Sequence, residues 1–242
     1  MKNKRTMKKL FKMTSILVLL IGFGFTTTAQ VNFGIKAGLN ANNFGQSVED
    51  EEDKIATKMK VGFHLGVVMD YGFTDAVSLN TGLIFISKGV GFDLEDELDE
   101  DFSLDGGSST TLNYLEIPIS IAYNKSNFQV YAGPYIGIGV SGRSKADYTL
   151  TGPTGESSFE EDISLKAAFG EVDYDELADD EGAFNGLDFG FNIGVGYEFG
   201  PVLMSLGYSL GLNDLEPSIK DQEKDDDKIT NRVISLSGTY MF

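Results

Sequence analysis

The 242-residue sequence predicts an all-β fold: one eight-stranded antiparallel transmembrane β-barrel of outer-membrane type, following an N-terminal signal peptide. Three observations predict it. An apolar period of two runs from Val31 to the C-terminus. Several alternating runs are longer than the ~5–6 residues of a typical globular strand and suit the ~9–11 residues that cross a bilayer at a tilt. Short and long connections alternate along the chain, which is the layout of outer-membrane barrels.

Residues 1–29 read as an address. Lys2, Lys4, Arg5, Lys8, Lys9 and Lys12 precede an apolar run from Met13 to Phe25. Thr27-Thr28-Ala29 then offers small residues for cleavage after Ala29. The apolar run has 13 residues, short of the ~20 that a spanning helix needs. The expected division is a signal peptide over 1–29 and a barrel domain over 30–242. No later segment has ~18 uninterrupted apolar residues, so any further crossing is by strands.

Eight runs follow, near 31–40, 60–71, 76–88, 111–123, 128–140, 186–199, 202–212 and 230–242. The first carries Lys36 in its middle, and the second carries His64 and Asp70. The third alternates less cleanly, because Ile84 and Ile86 fall on the polar face. The fourth has Glu116 in its middle. In the fifth, Val130, Ile136, Ile138 and Val140 oppose Gln129, Tyr131, Gly133, Tyr135, Gly137 and Gly139. The sixth is the clearest: Leu187, Phe189, Phe191, Ile193, Val195, Tyr197 and Phe199 alternate with Asp188, Gly190, Asn192, Gly194, Gly196 and Glu198. The seventh sets Met204, Leu206, Tyr208, Leu210 and Leu212 against Ser205, Gly207, Ser209 and Gly211. The eighth ends on Phe242, in phase with Ile234 and Leu236, which resembles the terminal signal read by the barrel-assembly machinery. An even count closes an antiparallel barrel with both ends of the chain on one side.

Alternation alone leaves open which face points inward. A soluble barrel would have an apolar interior, and a membrane barrel an apolar exterior facing lipid. The export signal, the strand lengths and the connections favour the membrane arrangement. Tyr71–Ala76, Asn124–Asn127 and Glu198–Val202 are tight turns, whereas the links near 41–59, 89–110, 141–185 and 213–229 are long and read as loops.

Those links hold 32 of the 37 acidic residues and eight basic ones, so they carry −24 while the eight runs are neutral. Charge on a lipid face is costly, so a membrane barrel exiles it. So acidic a chain excludes a basic nucleic-acid surface. Clustered carboxylates are a possible site for divalent cations, although the spacing fits no EF-hand loop. The other reading is a set of solvated, mutually repelling loops.

By strand parity Lys36, His64, Asp70, Lys88, Glu116 and Asp188 point inward. Lys36, His64, Glu116 and Asp188 form the candidate polar cluster of the lumen, with Lys36 and Glu116 expected to pair across it. Such a cluster is either a structural plug or a narrow path for small solutes. No catalytic, cofactor or metal residues are expected. Cysteine is absent, His64 is the single histidine, and no phosphate-binding glycine motif occurs.

The stretch Phe33-Gly-Ile-Lys-Ala-Gly-Leu-Asn-Ala-Asn-Asn-Phe44 resembles the first strand of the PorT-like family of small outer-membrane β-barrel proteins. Tyr114-Leu-Glu-Ile-Pro118, Val130-Tyr-Ala-Gly-Pro-Tyr-Ile-Gly137, Asp188-Phe-Gly with Val195-Gly-Tyr-Glu-Phe199, Tyr208-Ser-Leu-Gly-Leu-Asn-Asp214 and Phe242 agree with it. The resemblance implies an outer-membrane barrel and little about activity, since most such proteins have no assigned chemistry. The member that names the family takes part in protein secretion and gliding. Glu116 and Pro118 recur in the family pattern, and their physical reading is an inward carboxylate beside a proline at a bulge. The expected function is non-catalytic, in envelope structure or surface interaction, with a narrow porin-like channel as the alternative. The expected partners are outer-membrane lipid, the assembly machinery through Phe242, and divalent cations at the acidic links.

Overall fold

The computed structural model describes residues 30–47, 57–93, 96–99, 102–152, 155–173, 177–178, 181–220 and 228–242. The expected signal peptide at 1–29 lies outside them. The described chain is almost entirely strand. In order these are β1 (Val31–Ser47), β2 (Thr57–Gly72), β3 (Val77–Asp93), β4 (Asp96–Asp99), β5 (Phe102–Lys125) and β6 (Phe128–Gly152). They continue as β7 (Gly155–Ala168), β8 (Glu181–Asn185), β9 (Leu187–Phe199), β10 (Val202–Gly211) and β11 (Lys228–Met241).

Eight of these strands close a ring. The hydrogen-bonded order is β5-β3-β2-β1-β11-β10-β9-β6, and β6 pairs back onto β5. Every pairing in the ring is antiparallel. Each predicted alternating run falls on one of these eight strands, overrunning it by at most one residue, and the three predicted tight turns connect them. Thr74 Oγ1 accepts the backbone N–H of Val77 (3.0 Å) in the first turn. Gly200, at φ 63°, precedes Pro201 in the third. The last residue is tied in as well: Phe242 N donates to Phe33 O at 2.9 Å.

The fold decides which face is which. On β9, Leu187, Phe189, Phe191, Ile193 and Val195 point outward and are exposed, while Asp188, Gly190, Gly194 and Gly196 are buried inside the ring. The same holds on β1, with Phe33, Ile35 and Leu39 outside, and on β10 and β11, with Leu206, Leu210, Ile234 and Leu236 outside. A soluble barrel would bury those side chains, each worth about 1.5–3 kcal/mol when fully removed from water. Ile84 and Ile86, which broke the pattern, do turn inward and are buried. At the tight-turn end the outer face is aromatic. Phe128 and Tyr197 meet edge-on at 4.8 Å, Tyr197 and Phe199 at 4.7 Å, and Tyr71 and Phe73 at 5.3 Å.

Two expectations need correction. The links near 89–110 and 141–185 are not loops for most of their length. β3, β5 and β6 run on through them, β4 adds to β5, β7 adds to β6, and β8 lies parallel to β7. Beyond the apolar band both faces of a strand are polar, so the period-two contrast vanishes. Pairing continues because Ser108, Ser109, Thr110 and Thr111 suit a strand and the backbone still needs partners. The second correction concerns Pro118. The β3–β5 register is the same on either side of it, from Thr81↔Ile119 to Ile84↔Glu116, so no bulge sits there. The irregularity lies four to five residues earlier, between Asn113 and Tyr114 opposite β6.

Candidate functional site

The ring is narrow, and its interior is organised in layers. Nearest the tight turns is a neutral network around one carboxylate. Ser78 Oγ donates to Asp70 Oδ2 at 2.6 Å, and Asn124 Nδ2 donates to Ser78 Oγ at 3.3 Å. Gln129 Nε2 in turn donates to Asn124 Oδ1 at 2.9 Å.

Above it lies a cavity of about 270 Å³. Lys36, His64, Asp70, Glu116, Tyr131, Asn192, Ser205 and Ser237 are among the residues that line it. It reaches the turn residues Gly200 and Pro201 at one end and Ile84, Ile86 and Val233 at the other. Lys36 Nζ lies 5.8 Å from the centroid of the Tyr131 ring, within cation–π range.

His64 forms part of the wall. Asn40 Nδ2 donates to Ser87 O at 3.3 Å, which turns Asn40 Oδ1 towards His64 Nδ1 at 2.7 Å. Nδ1 therefore carries the proton, and Nε2 accepts from Ser237 Oγ at 2.8 Å. The ring reaches Ser237 by crossing over Gly38, which is paired with both His64 and Ser237. A Cβ on Gly38 would come within 2.5 Å of the imidazole Cε1, so only glycine leaves room for this bridge.

The next layer closes the lumen. Lys88 Nζ bonds to Glu116 Oε2 and to Asp188 Oδ2, both at 2.8 Å. Asn231 Nδ2 also donates to Asp188 Oδ2 (2.9 Å), and Tyr135 Oη donates to Asp188 Oδ1 (3.3 Å). The Lys88 ammonium sits 4.4 Å from the Tyr135 ring centroid and 5.5 Å from that of Tyr114. Lys88, Glu116 and Asp188 are 1, 5 and 0 % exposed, so water has almost no path between them. Over this layer Phe184 of β8 and Leu215 pack with Ile86, Leu112 and Tyr114 as a small apolar cap. Tyr114 and Phe184 meet edge-on at 5.8 Å, and Asn185 N donates to Leu215 O at 2.7 Å.

All four predicted cluster residues therefore face the interior, but their pairing differs from the expected one. Glu116 is bonded to Lys88 rather than to Lys36, and Asp188 shares the same ammonium. Among the described residues no carboxylate lies within ion-pair distance of Lys36, although Lys36 lies close enough to Glu116 to interact with its charge. The layer holds one ammonium and two carboxylates. Parity had placed Lys88 inside. It could not show that Lys88, rather than Lys36, stands level with both carboxylates, since that depends on the stagger of strands around the ring. Tyr114, Tyr135 and Asn231 share the inward parity, and inward parity alone does not show that they surround one charge.

Among the described residues no group of three or more histidine or acidic side chains is placed to hold a metal ion. Cations are expected at all four acidic links, and of these the runs 49–53 and 225–227 lie outside the described residues.

A family model described as outer membrane protein beta-barrel domain matches residues 26–216. The chain belongs to this family. It is accordingly an outer-membrane protein, which agrees with a ring whose apolar side chains point out. No curated protein matches the chain. Among solved structures, it is similar to the attachment invasion locus protein Ail of Yersinia pestis, at 14% identity and a TM-score of 0.37, covering 88% of this chain and 99% of that one. It is also similar to Neisserial surface protein A, at 12% identity and a TM-score of 0.36, covering 88% and 99%. The outer membrane protease OmpT of Escherichia coli gives 10% identity and a TM-score of 0.31, covering 91% and 99%.

Proposed function

We propose that this chain is a PorT-like, non-catalytic outer-membrane barrel that does not conduct and that works through its surface. In this reading residues 1–29 are the export signal. The eight ring strands cross the bilayer, and the extended strands with their acidic links face the exterior in envelope structure or surface interaction. Phe242 is the handle for the barrel-assembly machinery, and divalent cations bind the acidic links.

The observation that carries this reading is the Lys88–Glu116–Asp188 layer across the ring, roofed by Phe184 and Leu215. The near-complete burial of these three charged side chains supports a lumen without a continuous aqueous path. Below them lies a cavity reaching the tight turns, and it is the feature that favours the channel alternative.

Purification and recording test both readings. The protein should be extracted only with detergent and should migrate faster on gels before heating than after. In planar bilayers neither the wild type nor Lys36→Ala should give discrete conductance. Steady unitary currents in the wild type would establish the channel and overturn the plug. Extraction without detergent would overturn the membrane barrel altogether.

A further inference from the structure

Among the described residues, the sheet that continues beyond the ring ends on an open edge. β7 pairs with β6 on one side from Gly155 to Leu165, without a register shift. On its other side it pairs with β8, but only from Ser164 to Ala168. Among the described residues, 155–163 have no strand on that side. At ~3.3 Å per residue this is an edge about 30 Å long. Residues 155–162 are exposed on both faces, so the segment stands clear of the body. The one aromatic there, Phe159, stacks on Tyr148 of β6 at 5.2 Å.

Edges of this kind are normally blunted by proline, lysine, a bulge or short length. Residues 155–163 contain no proline and no basic residue, and their pairing with β6 is regular. What they carry is negative charge: Glu156, Glu160, Glu161 and Asp162. Asp162 is satisfied within the hairpin by Arg143, with Lys145 at 3.7 Å. Glu160 is not, because it lies directly across from Asp147. Like charges facing each other across a ladder destabilise it. Glu156, Glu160, Asp162 and Asp147 share one face of the hairpin by strand parity. A second copy of β7 would add more carboxylates to that face, so self-pairing is opposed. A strand with lysine or arginine at alternate positions would instead bond the open N–H and C=O groups and neutralise Glu156 and Glu160.

We propose that the free edge of β7, over residues 155–163, takes an extended cationic polypeptide as an added antiparallel or parallel strand. This rests on the surface-interaction reading above, because the partner must reach this end of the ring from outside. Recognition has two parts. Backbone hydrogen bonds fix the peptide in an extended form, and the acidic face selects alternate positive side chains.

The probe is a nine-residue peptide alternating lysine and threonine, titrated against the full protein folded in nonionic detergent. The expected result is saturable binding, together with slowed hydrogen exchange at amides of 155–163. Binding should fall at least tenfold for the same peptide N-methylated at every peptide nitrogen, which keeps its charge and leaves no backbone donor on either edge. It should fall similarly for Glu156→Lys/Glu160→Lys, a variant on exposed positions whose gel mobility shift reports intact folding. Equal binding of the N-methylated peptide would reduce the effect to plain charge attraction and overturn the proposal. So would absence of binding, or protection of these amides that grows with protein concentration and no peptide, which means self-pairing. Location is tested separately. The chain has no cysteine, so Ser158→Cys can be labelled on intact cells with an impermeant maleimide. Binding in detergent without surface labelling would sink the exterior reading and leave the edge itself intact.

Discussion

Replacing Lys88 by methionine tests the account of the lumen. Lys88 is the shared partner of Glu116 and Asp188, at 2.8 Å from each. Methionine matches the length of the stem and removes the charge. The two carboxylates then face each other in a nearly dry layer, and Asp188 keeps only Asn231 and Tyr135 as donors. Removing one partner of a buried ion pair costs about 3–5 kcal/mol, because the remaining charge is left uncompensated. Two stranded carboxylates put Lys88→Met at the upper end of that range, near ~5 kcal/mol. The triple variant Lys88→Met/Glu116→Gln/Asp188→Asn removes every charge in the layer and should return to within about 1 kcal/mol of the wild type. Replacing a whole buried ion pair by well-packed hydrophobic residues of similar volume is often neutral or stabilising, and here the amides keep the carboxylates' shape and, at position 188, an oxygen that still accepts from Asn231 or Tyr135. The assay is reversible urea unfolding in lipid vesicles, followed by far-ultraviolet circular dichroism because the chain has no tryptophan. The reasoning is refuted if Lys88→Met lies within ~1 kcal/mol of the wild type, or if the triple variant is as unstable as the single one.

Two further outcomes follow from the faces and the charges. Ile193 lies midway along β9 and points outward, so Ile193→Arg should cost about 2–4 kcal/mol in vesicles. Ser158→Arg on β7, beyond the apolar band, should stay within about 0.5 kcal/mol, and an equal effect at both sites would refute the assignment of the lipid face. Hydrogen bonds from the Arg143 guanidinium hold the Asp162 carboxyl below the usual aspartate range. A carboxyl lowered on folding stabilises the hairpin above its ordinary value, and that support is lost as pH falls through the lowered one. Carbon-13 NMR should show Asp162 titrating below an ordinary aspartate in the folded protein and returning to the ordinary value in Arg143→Gln. Unchanged titration would show that the pair does not form in solution.

Much of the architecture was legible because a strand repeats every two residues. Leu187 to Phe199 reads directly as one apolar face and one glycine-rich face, and the final Phe242 keeps phase with Leu236. The strand extensions were not legible. Ser108 to Thr111 and Glu156 to Asp162 show no contrast between faces, since both faces meet water. The interior was half legible: parity placed Lys36, His64, Lys88, Glu116 and Asp188 inside, but the ion pair was assigned to the wrong lysine. Parity fixes direction and says nothing of height, and in a ring the height of a residue depends on the stagger accumulated over all intervening strands.

The sequence by itself determined the eight ring strands within the apolar band, the tight turns between them and the sorting of charge away from the apolar runs. These are local properties, set by pleat, turn chemistry and the cost of charge in an apolar setting. Only the tertiary structure decided that β6 closes onto β5 and that Lys88 is shared by Glu116 and Asp188. Among the described residues it also leaves one edge of β7 without a partner strand. Closure and pairing bring together residues as far apart as Lys88 and Asp188, and no local pattern encodes that distance.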